Sequence, residues 1–281
     1  MRPRAVVSGV SHGTELHLVR GSSPFADLDL DPGSRRFIPR DPGADDDATT
    51  DDPLPGRPLG YEFVGEVVEV GPGALVHAEQ VCVALGPELD IGYPAQVRPA
   101  GLDPEAAAFL SLAAVALFAV HDARIDLGDE VVVSGLGAIG LLAVQLARAS
   151  GASRVVGVDV VIETSGAPAA LHEAIAAVRV AGTVISAGFV QGGASALRLG
   201  EEWHHNRPQL ISSMGVWDCP HRAHPRWDRR RIAATALKLL AEGRLRTAPL
   251  ISQRVPFDRA PRAYSRLAAN PETATKVLLV S

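Results

Sequence analysis

The segment DEVVVSGLGAIGLLAVQLARASGASRVVGVD, residues 129–159, constrains the fold more than any other part of the chain. Its valine run reads as a buried strand, and the apolar spacing of IGLLAVQLARA reads as a helix packed on one face. Between them Gly135, Gly137 and Gly140 stand in G-x-G-x-x-G spacing. In a strand–turn–helix context the first glycine permits the tight turn and the second lets backbone approach a pyrophosphate. The third lets helix and strand pack closely. Ala138 and Ile139 complete the turn, and the N–H groups of the helix start, with their partial positive charge, face the phosphates. Asp159 ends the next valine run, 19 residues after Gly140. A carboxylate there accepts ribose hydroxyls and repels a 2′-phosphate, which favours NAD over NADP. The plainer alternative is a glycine turn that only closes a strand–helix joint.

The remainder of the chain fits a two-part organisation. Residues 1–100 are rich in Gly and Pro and carry short β-branched runs such as RAVVSGV, FVGEVVEVG and QVCVALG, the texture of a mostly β unit. From residue 103, helices and strands alternate, which means a parallel α/β sheet. DPEAAAFLSLAAVALFAVHDAR reads as one helix with Asp103 as its cap and Pro104 in its first turn. VVIETSG and GTVISAGF read as strands flanking the helix AALHEAIAAVRV. RWDRRRIAATALKLLAEGRL reads as a further helix ended by Gly243, and the tail reads strand, helix, strand. The acidic stretch DPGADDDATTDDPLPGRP reads as a solvated surface loop, since it lacks a calcium-loop pattern.

Composition excludes several classes. The 281 residues carry 27 Lys+Arg against 32 Asp+Glu, a net charge of −5, which argues against nucleic acid or an anionic membrane as the main partner. The longest uncharged apolar run, residues 106–120, falls short of the ~20 that span a bilayer. No long apolar core of a signal peptide opens the chain, so a cytoplasmic protein is expected. The two cysteines, Cys82 and Cys219, cannot supply a four-thiolate zinc site or a disulfide scaffold.

These motifs resemble the medium-chain dehydrogenase/reductase superfamily, on its zinc-type alcohol dehydrogenase-like side. SGVSHGTELHLVRG is similar to the family's N-terminal substrate-site segment. GYEFVGEVVEVGPG is similar to its G-H-E motif, and GRLRTAPLISQRVPFDRAPRAY to its C-terminal return to the catalytic domain. The S-G-x-S-x-G-T-E form and the HHN…ISSMG segment resemble the subgroup of bacteriochlorophyllide-type hydroxyethyl dehydrogenases. The resemblance implies an α/β architecture: a Rossmann-type parallel-sheet domain, residues 103–243, and a mostly β, partly open barrel catalytic domain from residues 1–102 and 244–281. It implies NAD or NADP as cofactor, a small-molecule substrate in the cleft and a homodimer. It also implies that Ser165, Gly166, Ala187, Gly188, Phe189, Ser212 and Ser213 line the nicotinamide side.

Against the family pattern, Ser11 stands in place of the first zinc-ligating Cys, Tyr61 in place of the His of G-H-E, and no Cys or Asp stands near Ser111. Serine and tyrosine are poor zinc ligands at neutral pH, so no catalytic zinc is expected. Tyr61 is then the first candidate to donate a proton to a developing alkoxide. Glu62 would orient it, or act as a buried structural acid paired with an Arg. His12 and Thr14, in the N-terminal loop, would relay a proton. Adjacent His204 and His205, beside Trp203, point apart on regular structure and do not suggest a shared metal. Trp217, Cys219, His221, His224 and Trp227 fall in a Pro-rich loop, read as ordinary packing or as a lid.

One joint departs further. RVVGVD runs directly into VVIETSGAP, whereas parallel strands need a connection of a dozen or more residues. Either a segment is missing at Asp159–Val160, or the gene carries a real deletion, or part of the adenosine pocket has been shed. The reading is therefore a zinc-independent NAD(P)-dependent oxidoreductase acting on a carbonyl, secondary alcohol or activated alkene. A non-redox cyclase or lyase on the same scaffold and a non-catalytic binding protein are its rivals.

Overall fold

The β-branched runs of the first hundred residues form strands because such side chains pack well on a pleated, half-buried surface. β1 (Arg2–Val10) leads into α1 (His12–Val19) and then a small hairpin, β2 (Leu28–Leu30) with β3 (Phe37–Pro39). β4 (Glu62–Glu69), β5 (Val81–Ala84) and β6 (Gln96–Val97) follow. The structure, a computed structural model, describes residues 2–20, 22–23, 28–31, 33–34, 36–39, 60, 62–69, 81–84, 96–153, 159–215 and 223–281.

In the middle of the chain α2 (Pro104–Ala107) and α3 (Leu110–Ala123) are two helices where the sequence reads as one. The Asp103 carboxylate accepts from the Glu105 N–H at 2.8 Å, as a cap should. The break falls at Phe109, whose N–H turns to Ala106 O, three residues back, tightening the chain before α3 restarts. β7 (Val131–Ser134), α4 (Ala138–Ala149), β8 (Val160–Glu163), α5 (Pro168–Ala177), β9 (Thr183–Ser186), α6 (Glu202–Asn206), β10 (Gln209–Ser212) and α7 (Arg229–Ala241) complete this part. The four strands are parallel, in the order β10-β9-β8-β7. β8 is buried along its whole length, as a strand covered on both faces must be. Val160 and Ile162 face the core built around α3, while Val161 faces the core under α5.

The C-terminal residues return to the first sheet. β11 (Ile251–Pro256), α8 (Ala260–Ala269) and β12 (Lys276–Val280) give a mixed six-stranded sheet, β11-β12-β1-β4-β5-β6, drawn from both ends of the chain. One continuous core, with Val7, Val64 and Leu278 from this sheet and Val160, Ile162 and Ile185 from the parallel sheet, closes around the buried α3. Among the described residues no helix is long and apolar enough to cross a membrane.

Candidate functional site

The turn after β7 is built by three glycines that do different work. Gly135 has φ +96°, a conformation that favours glycine, and a Cβ there would lie 2.6 Å from Thr164 Oγ1. A Cβ at Gly140 would collide with the Gly135 carbonyl, so α4 can pack this closely only with glycine there. Gly137 differs: it caps α4, and a Cβ there would meet nothing. Among the described residues no atom requires glycine at 137, whereas a ligand lying against the turn would. Ala138 is buried and Ile139 half-buried in the first turn of α4, whose N–H groups lack helical partners and favour an anion.

The loops beyond β8 and β9 meet beside this turn. The Thr164 hydroxyl donates to Ser134 O at 2.8 Å and lies 3.1 Å from Gly135 O. The fully buried Glu163 carboxylate accepts from the N–H and hydroxyl of Ser165 and from the Gly166 N–H. Its carbonyl accepts from the N–H groups of Ala187 and Gly188 at 2.8 and 2.9 Å. Gly166 (φ +71°) and Gly188 lie back to back, and a Cβ on Gly188 would strike the Gly166 amide. Phe189 is 38% exposed, and the Ser213 N–H donates to Ser186 O at 2.9 Å, with Ser212 exposed at the end of β10. The residues named for the cofactor thus gather at the C-terminal edge of the parallel sheet, where open α/β sheets bind ligands.

Asp159 is the exception. Val131 pairs with Val160 and Ser134 with Glu163, so Asp159 sits at the N-terminal edge of β8. Five residues of strand separate its level from Gly135, about 16 Å at ~3.3 Å per residue. Its carboxylate accepts from the Glu130 N–H at 3.0 Å and from Arg179 Nε at 2.6 Å. The N–H bond first and the guanidinium second hold it below the usual carboxylate range. The reason is topological: the residue immediately before a parallel strand lies at that strand's starting edge. Asp159 therefore does not reach a ribose held by the glycine turn, and the basis for choosing NAD over NADP falls with it. β8 begins at Val160, and residues 154–158 lie outside the described residues.

The second half of the site lies behind β4. Ser11, Glu15, Glu62 and Lys276 are all buried, and they satisfy one another. The Ser11 hydroxyl donates to Glu62 Oε1, and Lys276 Nζ donates to Glu62 Oε2 and to Val10 O at 3.2 Å. The Ser11 N–H donates to Glu15 Oε1 at 3.0 Å, and the Tyr264 hydroxyl donates to Glu15 Oε2. Gly9 makes room for the ion pair: a Cβ there would lie 2.8 Å from Lys276 Cε. Burial pushes the Glu15 carboxyl up, against the lowering bonds from Tyr264 and Ser11. His12 and Thr14 lie in the first turn of α1 rather than in a loop. Burial, and then the Lys276 ammonium, hold the half-buried His12 imidazole below its ordinary value. Gln191 Nε2 donates to Gly13 O at 3.2 Å, joining the loop after β9 to this turn. Tyr61, Trp217, Cys219 and His221 lie outside the described residues.

Glu62 is thus a buried acid paired with a lysine, where the sequence suggested an arginine. Lys276, Glu15, Glu163 and Tyr264 were not singled out as site residues. A signal existed for two of them. Lys276 is one of only two lysines and stands in the apolar run VLLV's strand, and Glu163 ends a buried four-residue strand. Charges at such positions are rarely buried unless paired.

Residues 143–279 match the family model described as zinc-binding dehydrogenase. The chain is similar to D-guloside 3-dehydrogenase of Escherichia coli, 31% identical, with 95% of this chain and 88% of the relative covered. That alignment spans 315 positions against 281 residues here, so the relative carries residues for which this chain has none. Among solved structures it is similar to a zinc-binding dehydrogenase of Sinorhizobium meliloti bound to NADP (TM-score 0.72, 22% identity, 99% of this chain and 91% of that one). It is also similar to L-idonate 5-dehydrogenase of Escherichia coli (TM-score 0.70, 19% identity, 99% and 90%).

Proposed function

Because the chain belongs to the zinc-binding dehydrogenase family and is an oxidoreductase of the medium-chain dehydrogenase/reductase type, we propose that it moves hydride between a nicotinamide cofactor and a secondary alcohol or carbonyl of a small polar molecule, without a catalytic zinc. The observation that carries the reading is the glycine turn with open space at Gly137, over the start of α4. When bound there, NAD or NADP supplies the hydride donor or acceptor. Gly135, Gly137 and Gly140 with the first turn of α4 hold its pyrophosphate, and the loops at Ser165–Gly166 and Ala187–Phe189 flank the nicotinamide.

Zinc independence rests on the donor set. Ser11 spends its hydroxyl on Glu62, and an ammonium occupies the other carboxylate oxygen, so Ser11 brings no thiolate and Glu62 no uncommitted carboxylate to a zinc ion. Proton transfer falls to Tyr61 as donor and to His12, kept neutral by burial, as acceptor, with Thr14 beside it. Sugar-derived alcohols are the first substrates to try, since the relative of 31% identity is named for one.

Fluorescence titration of the purified chain with NADH and with NADPH tests the cofactor, and micromolar binding of either is expected. No binding by folded protein would overturn the reading and favour the non-redox rival. Turnover that survives exhaustive chelation supports zinc independence. His12→Gln should remove an acid limb of the rate profile that lies below pH 6.5, because a base works only above its own pKa, which here is lowered.

A further inference from the structure

The outer flank of the parallel sheet carries a second cluster that the hydride reading does not use. On α5, Leu171, Ala174 and Ile175 pack on Val161 and Val184, and Leu197 brings the following chain back over the same face. This places Glu201 and Glu202, at the start of α6, against the buried His172. Ligand atoms of the three residues all lie within 4.8 Å of one another.

One of the three carries a buried oxygen without a partner among the described residues, and the buried His172 meets only a long contact. His172 is 5% exposed and makes no hydrogen bond among the described residues. Its Nε2 lies 3.9 Å from Glu201 Oε2, beyond hydrogen-bond reach. Glu202 Oε2 is buried with no hydrogen-bond partner among the described residues. Buried polar atoms are nearly always paired, and an orphaned one costs about 1–3 kcal/mol. With its Nε2 lone pair turned to the carboxylates, His172 is an acceptor as they are, and a cation would satisfy all three at once.

We infer that His172, Glu201 and Glu202 bind a first-row divalent cation such as Zn²⁺ or Mn²⁺, which fastens α5 to the chain entering β10. One nitrogen and two carboxylates suit these ions better than Ca²⁺, which prefers oxygen alone, or Cu⁺, which prefers sulfur. Ligands around a tetrahedral zinc stand about 3.3 Å apart at bond lengths of ~2.0–2.1 Å. The cluster must therefore draw in, and the half-buried Glu202 and exposed Glu201 have the freedom to do so. Arg198 opposes the ion: its Nε lies 2.9 and 2.8 Å from the two carboxylate oxygens of Glu201. Removing that charge should tighten the site. The site stands apart from the glycine turn, so its occupancy and cofactor binding are separable.

The full chain, stripped with a chelator and then titrated with Zn²⁺ and with Mn²⁺ by calorimetry, tests this. One equivalent of at least one ion should bind. Glu202→Gln should weaken binding at least fivefold while leaving the circular dichroism spectrum and NADH titration unchanged, and Arg198→Gln should strengthen it. His172→Gln should abolish it. Absence of binding by the wild-type chain at millimolar ion, or a loss smaller than fivefold in Glu202→Gln, overturns the assignment.

Discussion

The turn after β7 and the pocket behind β4 treat their polar groups in opposite ways. Around Gly137 the first N–H groups of α4 stay uncapped by any side chain, and space is left where a Cβ would go. Around Glu62 every described group is turned inward: Ser11 and Lys276 take both carboxylate oxygens, and Ser11 and Tyr264 take both oxygens of Glu15. The first region leaves its N–H groups without a side-chain cap, whereas the second completes itself. A fold can thus keep an anion-binding turn open while the neighbouring polar pocket is filled by the protein's own charges.

The comparison breaks most readily at Lys276. Lys276→Met leaves Glu62 buried beside Gly9 without its cation, and losing one partner of a buried pair costs about 3–5 kcal/mol. Urea denaturation should show this, and the double change with Glu62→Gln should recover most of it, since a neutral pair carries no orphaned charge. Recovery of less than half would mean that packing, not charge, holds the pocket.

The glycine turn gives a smaller and more selective effect. Gly140→Ala forces a Cβ into the Gly135 carbonyl and should cost about 1–3 kcal/mol, as overpacking does. Gly137→Val places its Cβ in space that no described residue fills and should leave the melting temperature nearly unchanged, yet weaken NADH binding at least tenfold. Equal losses of stability in both variants would erase the distinction between a glycine required by packing and one required by a ligand.

How far the sequence could be read follows the same division. The strand–turn–helix segment was legible because the position of Gly135, Gly137 and Gly140 between a valine run and an apolar helix is a local pattern. The fold class followed from alternation along the chain. The Glu62 pocket was not legible, because Lys276 lies 214 residues from Glu62 and only sheet pairing of β12 with β1 and of β1 with β4 brings them together. The break at Phe109 was hidden for another reason, since nothing in AAAFLSLAA forbids a continuous helix. Asp159 was misplaced because spacing alone cannot say at which edge of a parallel sheet a residue falls.

Glu15 offers a pH test of the closed pocket. Burial raises its pKa above 4.5, so between the unfolded and the folded value the folded state holds a proton that the unfolded chain releases. The stability this contributes is full below pH 4.5 and is lost as pH rises through the folded value. Glu15→Gln should flatten that decline in stability measured by urea denaturation from pH 4 to 8. A variant that declines as steeply as the wild type would show that Glu15 titrates normally and that the pocket is not closed to water.

The smallest expected effect sharpens the open half. Asp159 lies at the far edge of β8, engaged by the Glu130 N–H and by Arg179. Asp159→Asn should therefore shift the ratio of NADH to NADPH affinity by less than about twofold, whereas a carboxylate on the ribose would move it far more, because removing it lifts the repulsion of a 2′-phosphate. The substitution should instead act on the fold in acid. The lowered carboxyl contributes stability above pH 3.8 that disappears as pH falls through its folded value, and Asp159→Asn removes that dependence. A large change in cofactor preference would place Asp159 at the ribose and require a different path for the chain between β7 and β8.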